Sequence, residues 1–124
     1  SLTGVSAADL AAGYTAATGK QWTQPIGFVH ALFEMAADVM GRVEDSRDPD
    51  EVTSAIAATQ LSSMVGRIAF DGAGLPPFAA ANVAKTPLVG GQRRLKDGGG
   101  YDLVIVDPSD HPNIPTGGPV EDIS

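Results

Sequence analysis

No cysteine occurs in the chain, which excludes disulfides and thiolate metal sites and leaves the redox compartment open. Basic residues are scarce: eight Lys and Arg stand against fifteen Asp and Glu, for a formal net charge of −7. Phosphate recognition rests on clustered Lys and Arg that release counterions, so this balance argues against a nucleic-acid binder. No window reaches the ~20 apolar residues that a membrane-spanning helix needs. The opening "SLTGVSAADL" has neither a basic region nor a hydrophobic run, so nothing in it directs export. Its first residue, Ser rather than Met, is what a processed piece would show. The chain also lacks internal repeats.

What is present fits one domain. At 124 residues and 43% hydrophobic, a compact fold would bury about two-thirds of the unfolded surface, which supplies a core but a small one. The first half reads as helical. Ser6 followed by Asp9 resembles a capping box, and a helix is expected from about Ala7 to Thr18, ended by Gly19, with Leu10 and Tyr14 on one face. Pro25 then suits a first helical turn. Phe28, Leu32, Phe33, Ala36, Ala37 and Met40 recur at threes and fours, the spacing of a core helix, with Glu34, Asp38 and Arg42 on the other side. The polar "EDSRDPDE" is a loop. Within it Asp48 is placed to cap a third helix, with Pro49 in its first turn, Glu51 closing the box, and Val52, Ala55 and Ile56 inward.

From Val65 the pattern changes to strands. "VGRIAFDGAG" puts Ile68 and Phe70 on one face and turns at Asp71 and Gly72. After a Gly, Ala and Pro loop, "VAKTPLVGGQRRL" and "YDLVIV" are two strand candidates joined by "KDGGG", and they fit a β-hairpin. "LVIV" reads as a strand covered on both faces, which needs more neighbours than these two or three strands provide. The fold class is therefore α/β, helices followed by a few strands. Residues 1–62 are mainly helical, 63–106 mainly strands, and 107–124, with its run of prolines, an extended tail.

His30 and Glu34 lie four apart, a spacing that sets two metal ligands on one helix face, with Asp38 a turn further and His111 the only other histidine. A solvated polar stripe with an Asp38–Arg42 pair is the better reading, and no metal is assigned. Asp107, Asp110 and His111 would need a pocket to act as acid and base, which a proline-rich tail does not provide, so they read as turn residues. Glu44, Asp45, Asp48, Asp50 and Glu51 lack the order of a calcium loop. "DGGG" lacks the order of a phosphate loop and reads as a turn. "QRRLK" has no aromatic series for base stacking and reads as a strand edge protected by charge. No catalytic residue and no cofactor emerge, and the chain is not read as an enzyme.

The order "GKQWTQPIGFVHALFEMAADVM", then "DPDEVTSAIAAT", "VGRIAFD", "GGQRRL" and "DLVIVDPSDHPNIPTGG" resembles the carboxy-terminal third of type I periplasmic substrate-binding proteins, the branched-chain amino acid receptor type that serves ABC importers. The likeness covers nearly all of the chain from about Ala7, and its specificity lies in the ordered set. It implies a partial type I periplasmic-binding-protein fold, a single segment from the carboxy-terminal part of a two-lobed protein. The helices up to about residue 60 would form the outer layer of one lobe, and the later strands would approach the hinge. It also implies a periplasmic or extracytoplasmic parent, a permease partner, and a small-molecule ligand such as a branched-chain amino acid, another small amino acid, an amide or an aromatic acid. The amino-terminal two-thirds of that family's pattern is absent here. The resemblance sets the turn holding Trp22, Gln24 and Phe28 near the rim of the inter-lobe cleft, where an aromatic wall beside an amide suits an apolar ligand side chain; the alternative is that Trp22 and Phe28 only seal the helix start. Two other functions stay open: a ligand-sensing module of the same fold, and a small interaction domain that forms a homodimer by strand pairing.

Overall fold

Ser6 stands in extended conformation and begins the first helix, α1 (Ala7–Thr18), through a complete capping box. Asp9 N–H donates to Ser6 Oγ at 3.1 Å while the Asp9 carboxylate accepts from the Ser6 N–H, so two otherwise orphaned donors are satisfied. Gly19, at φ 67°, ends the helix and donates its N–H to Thr15 O. Pro25 opens α2 (Pro25–Arg42) and Pro49 opens α3 (Pro49–Ala57). Asp48 caps α3 by accepting from the N–H groups of Asp50 and Glu51. Glu51 does not close that box as expected. Its carboxylate instead accepts from the N–H groups of Glu44 and Asp45, at 2.6 and 3.0 Å, and so ties down the preceding loop.

The computed structural model describes residues 2–109 and 111–122. Over those residues the fold is small and mixed α/β, with three helices and two two-stranded antiparallel sheets. The first sheet pairs β1 (Gln60–Ser63) with β2 (Gly66–Ala69), with Leu61 opposite Ile68. The second pairs β3 (Gly90–Leu95) with β4 (Tyr101–Asp107), with Gln92 opposite Val104 and a register shift at Gly90 and Gly91. Two compact units result, the first ending at Thr86 and the second beginning at Pro87.

In the first unit the core is Ala31 from α2 with Leu61 and Ile68 from the hairpin, and Met35, Val65 and Ala84 pack on it. That reverses the expected orientation of α2. Phe28, Leu32, Phe33, Ala36, Ala37 and Met40 are exposed, while Ala31, Glu34 and Val39 are buried. The cause lies in hydrogen bonding. The polar flank of α2 carries the groups that α3, the hairpin turn and the segment before α1 need as partners, so these elements close on that flank, and buried polar groups must be paired. Among the described residues of the unit, the apolar flank is left largely exposed.

The strands also begin earlier than Val65. β1 starts at Gln60, and Val65 sits in the two-residue turn of the hairpin, with Phe70 following the end of β2. Ser63 makes that turn: its hydroxyl donates to Gly66 O at 2.8 Å and accepts from the Val65 N–H at 3.2 Å, and Gly66 takes a φ of 100°. Residues 70–89 form neither helix nor strand. The strand expected over "VAKTPLVGGQRRL" is confined to its second half, because Pro87 has no N–H for a ladder. The expected hairpin between the last two strands is present. Its turn closes through Lys96 N–H to Gly100 O and Gly99 N–H to Lys96 O, with Gly98, Gly99 and Gly100 all at positive φ. β4 gains one neighbour rather than several, so Leu103, Val104, Ile105 and Val106 are half-buried instead of enclosed on both faces.

Candidate functional site

The turn before α2 is built by two short backbone bonds, Ile26 N–H to Thr23 O at 3.1 Å and Gly27 N–H to Gln24 O at 3.2 Å. Gln24 is the helix N-cap, already in helical conformation, and makes no capping bond with its side chain. Its amide is exposed, Trp22 is half-buried and Phe28 is exposed. Of the three residues expected as ligand contacts, Trp22 precedes the helix, Gln24 is its N-cap and Phe28 stands in its first turn. An exposed amide offers two donors and an acceptor to an incoming polar group.

The more strongly determined polar centre lies on the opposite flank of α2, where the residue spacing alone predicts a solvated stripe. Glu34 is only 4% exposed. Its Oε1 accepts from the Leu2 N–H at 2.7 Å and its Oε2 from the Met64 N–H at 3.3 Å, so one carboxylate joins the segment before α1, the middle of α2 and the β1–β2 turn. His30 Nδ1 approaches Oε2 at 3.5 Å, an ion pair when the imidazole is protonated. Desolvation pushes the carboxyl upward, but the donated N–H groups of Met64 and Leu2, with His30, outweigh it and hold it below its ordinary 4.5. Two helical turns beyond Glu34, Arg42 extends the same flank. Its guanidinium meets Asp38 Oδ2, Ala55 O and Thr59 Oγ1, each at 2.9 Å, and so ties α2 to α3 and to the buried Thr59 ahead of β1. The expected Asp38–Arg42 pair is therefore real, and it forms one side of a network. A spacing of four between His30, Glu34, Asp38 and Arg42 was the available signal; what it lacked was the partners, which are backbone groups and invisible in a residue pattern.

Among the described residues no group of three or more His, Asp or Glu stands ready to hold a metal ion. Asp107 accepts from the Ser109 hydroxyl and from its N–H, which hold its carboxyl below the usual range. With His111 N–H donating to Pro108 O, these residues build a turn, as expected; Asp110 lies outside the described residues. In the acidic loop, Asp45 is lowered by its ion pair with Arg47 and by the Arg47 N–H. In "QRRLK", Arg94 is not the solvated edge residue it was read to be: its side chain is largely covered and pairs with Glu121 at 3.0 Å. No helix of the described residues is long and apolar enough to cross a membrane. Compared with protein-family models, with curated proteins and with solved structures, the chain finds no match in any of the three.

Proposed function

We propose that the chain is the carboxy-terminal part of an extracytoplasmic solute-binding protein of the type I periplasmic class, which captures a small molecule between two lobes and presents it to an ABC importer permease. The carrying observation is the outward flank of α2. Phe28, Val29, Leu32, Phe33 and Met40 are 43%, 52%, 57%, 71% and 50% exposed. Ala36 and Ala37 complete a face with no charged residue on it. A contiguous exposed face of this kind marks a surface built to be covered. A helix in the outer layer of an α/β lobe presents such a face to the sheet beneath it, and the missing part of the lobe is where that sheet would come from.

Trp22, Gln24 and Phe28 are the residues of this chain assigned to the ligand. The two rings would wall an apolar side chain, and the Gln24 amide would bond a polar group. The ligand class is a branched-chain or other small amino acid, an amide or an aromatic acid. Capture by lobe closure needs no bond chemistry, so no nucleophile, metal or cofactor has to be found. A ligand-sensing module of the same fold would use the same residues. A second reading, a small domain that pairs strands between copies, draws on one observation: each sheet stops at two strands, and an isolated two-stranded sheet is marginal in water.

The test uses Trp22, the only tryptophan of this segment. In the two-lobed parent, with tryptophans outside this segment replaced by phenylalanine, saturating amino acid ligand is expected to change Trp22 emission, and Gln24→Ala to weaken binding about ten-fold, the loss of one hydrogen bond to a charged group. An emission spectrum unchanged by any amino acid, amide or aromatic acid of the class would exclude Trp22 from the site.

A further inference from the structure

We propose that Gln92 and Arg94 form a docking site for an extended acidic peptide strand, which the chain fills with its own residues 117–121. The site lies wholly in the second unit and does not depend on the transport reading, which its failure would leave untouched.

Gln92 and Arg94 are two apart on β3 and so share one face of the hairpin. The Gln92 carboxamide reads backbone alone. Its Nε2 donates to Glu121 O at 2.6 Å and its Oε1 accepts from the Glu121 N–H at 3.0 Å, a pairing open to any extended residue in that position. Arg94 adds the selection for charge. Its Nη1 forms the 3.0 Å ion pair with the Glu121 carboxylate, and its Nη2 donates to the Pro119 carbonyl. A third anchor fixes the other end of the strand, where Gly117 N–H donates to Ile105 O of β4 at 2.8 Å. Gly117 approaches so closely that a Cβ there would stand 3.1 Å from Val104 Cγ1, which explains a glycine at this step.

The occupant suits the site. Pro115 and Pro119 restrict the backbone of residues 115–121, which form no helix, strand or turn, so less conformational entropy remains to be lost on docking. Gln92, the Ile105 carbonyl and the Nη2 of Arg94 address backbone groups, and the Nη1 of Arg94 addresses a carboxylate, which defines the partner as an extended strand with an acidic residue two positions after a proline. Tethering gives the chain's own segment an effective concentration in the millimolar range. A foreign strand therefore enters only where the tail's own hold is weakened.

The experiment measures binding of a fluorescein-labelled peptide of residues 114–122 to the full chain by anisotropy. Three proteins are compared: the unaltered chain, a weakened-tail variant (Gly117→Val with Glu121→Ala), and that variant with Gln92→Ala and Arg94→Ala added. The weakened-tail variant is expected to bind the peptide at least about ten-fold more tightly than the unaltered chain, and the added substitutions to abolish binding. Equal binding to all three, binding that survives loss of Gln92 and Arg94, or no binding to the weakened-tail variant up to about 1 mM peptide would overturn the proposal. Glu121→Ala alone changes only an exposed side chain and repeats the comparison should Gly117→Val disturb the hairpin.

Discussion

Replacing Glu34 by alanine is expected to lower the unfolding free energy of the first unit by about 1–3 kcal/mol, because the N–H groups of half-buried Met64 and exposed Leu2 lose their shared acceptor. The loss is read as a shift of the urea midpoint with an unchanged slope. Glu34→Gln keeps one acceptor oxygen and should cost less. The pH dependence separates charge from geometry. The folded-state carboxyl lies below its ordinary 4.5, so the unfolded chain binds the proton more readily than the folded one. The contribution of Glu34 is then complete above about pH 5 and fades as pH falls through the folded-state value. The unaltered protein should lose stability on acidification through this window, and Glu34→Gln should lose less over the same interval. Parallel acid profiles for the two proteins would mean that the carboxylate is not the group that titrates with unfolding.

Lysine at both Leu32 and Phe33 separates the two environments that the outward flank of α2 can have. In the chain as described here both side chains are largely exposed, and surface substitutions of this kind change stability by no more than about 0.5 kcal/mol. In a two-lobed parent the same flank is expected to be covered, where an unpaired buried charge costs roughly 3–5 kcal/mol. Two such charges, about 6–10 kcal/mol together, are comparable to the whole stability margin of an ordinary domain, about 5–15 kcal/mol. Soluble expression and urea unfolding of both proteins carry the test: a chain indifferent to the pair of lysines, and a parent that no longer folds. A parent that tolerates both lysines would show that the flank faces solvent there too.

The elements were largely legible in the sequence, and the sides they bury were not. Ser6 with Asp9, Asp48 with Pro49, and Pro25 before an apolar pattern each mark a helix start through local hydrogen bonding or a fixed φ, and all three helices begin there. "KDGGG" between two β-favouring runs likewise marks the second hairpin. β1 was missed because "QLSS" has one apolar residue and its turn, Met64 and Val65, lacks the Asn-Gly type of signal; Ser63 supplies the turn through its side chain instead. The burial of Glu34 was missed for a related reason. Its partners are the N–H groups of Leu2 and Met64, about thirty residues away on either side, and a backbone donor has no letter in the sequence. The apolar repeat of α2 predicts the side that faces the core, and the structure turns it outward instead. What the periodicity does not specify is whether the cover comes from this segment. At the candidate site, Trp22, Gln24 and Phe28 lie within seven residues around the start of α2, whereas the Gln92 and Arg94 pair gains its meaning only from a tail that returns some thirty residues later.

The most direct measurement is the native mass and location of the protein that carries this segment in its source cell, followed by peptides from residues 21–42 and 101–107 in a fractionated extract. The expected result is that both sets of peptides co-migrate in the exported fraction at about three times the 12.7 kDa of this chain, the size of a two-lobed receptor. Peptides that run at 12.7 kDa in the cytoplasmic fraction would contradict it and leave the outward flank of α2 without the lobe proposed to cover it.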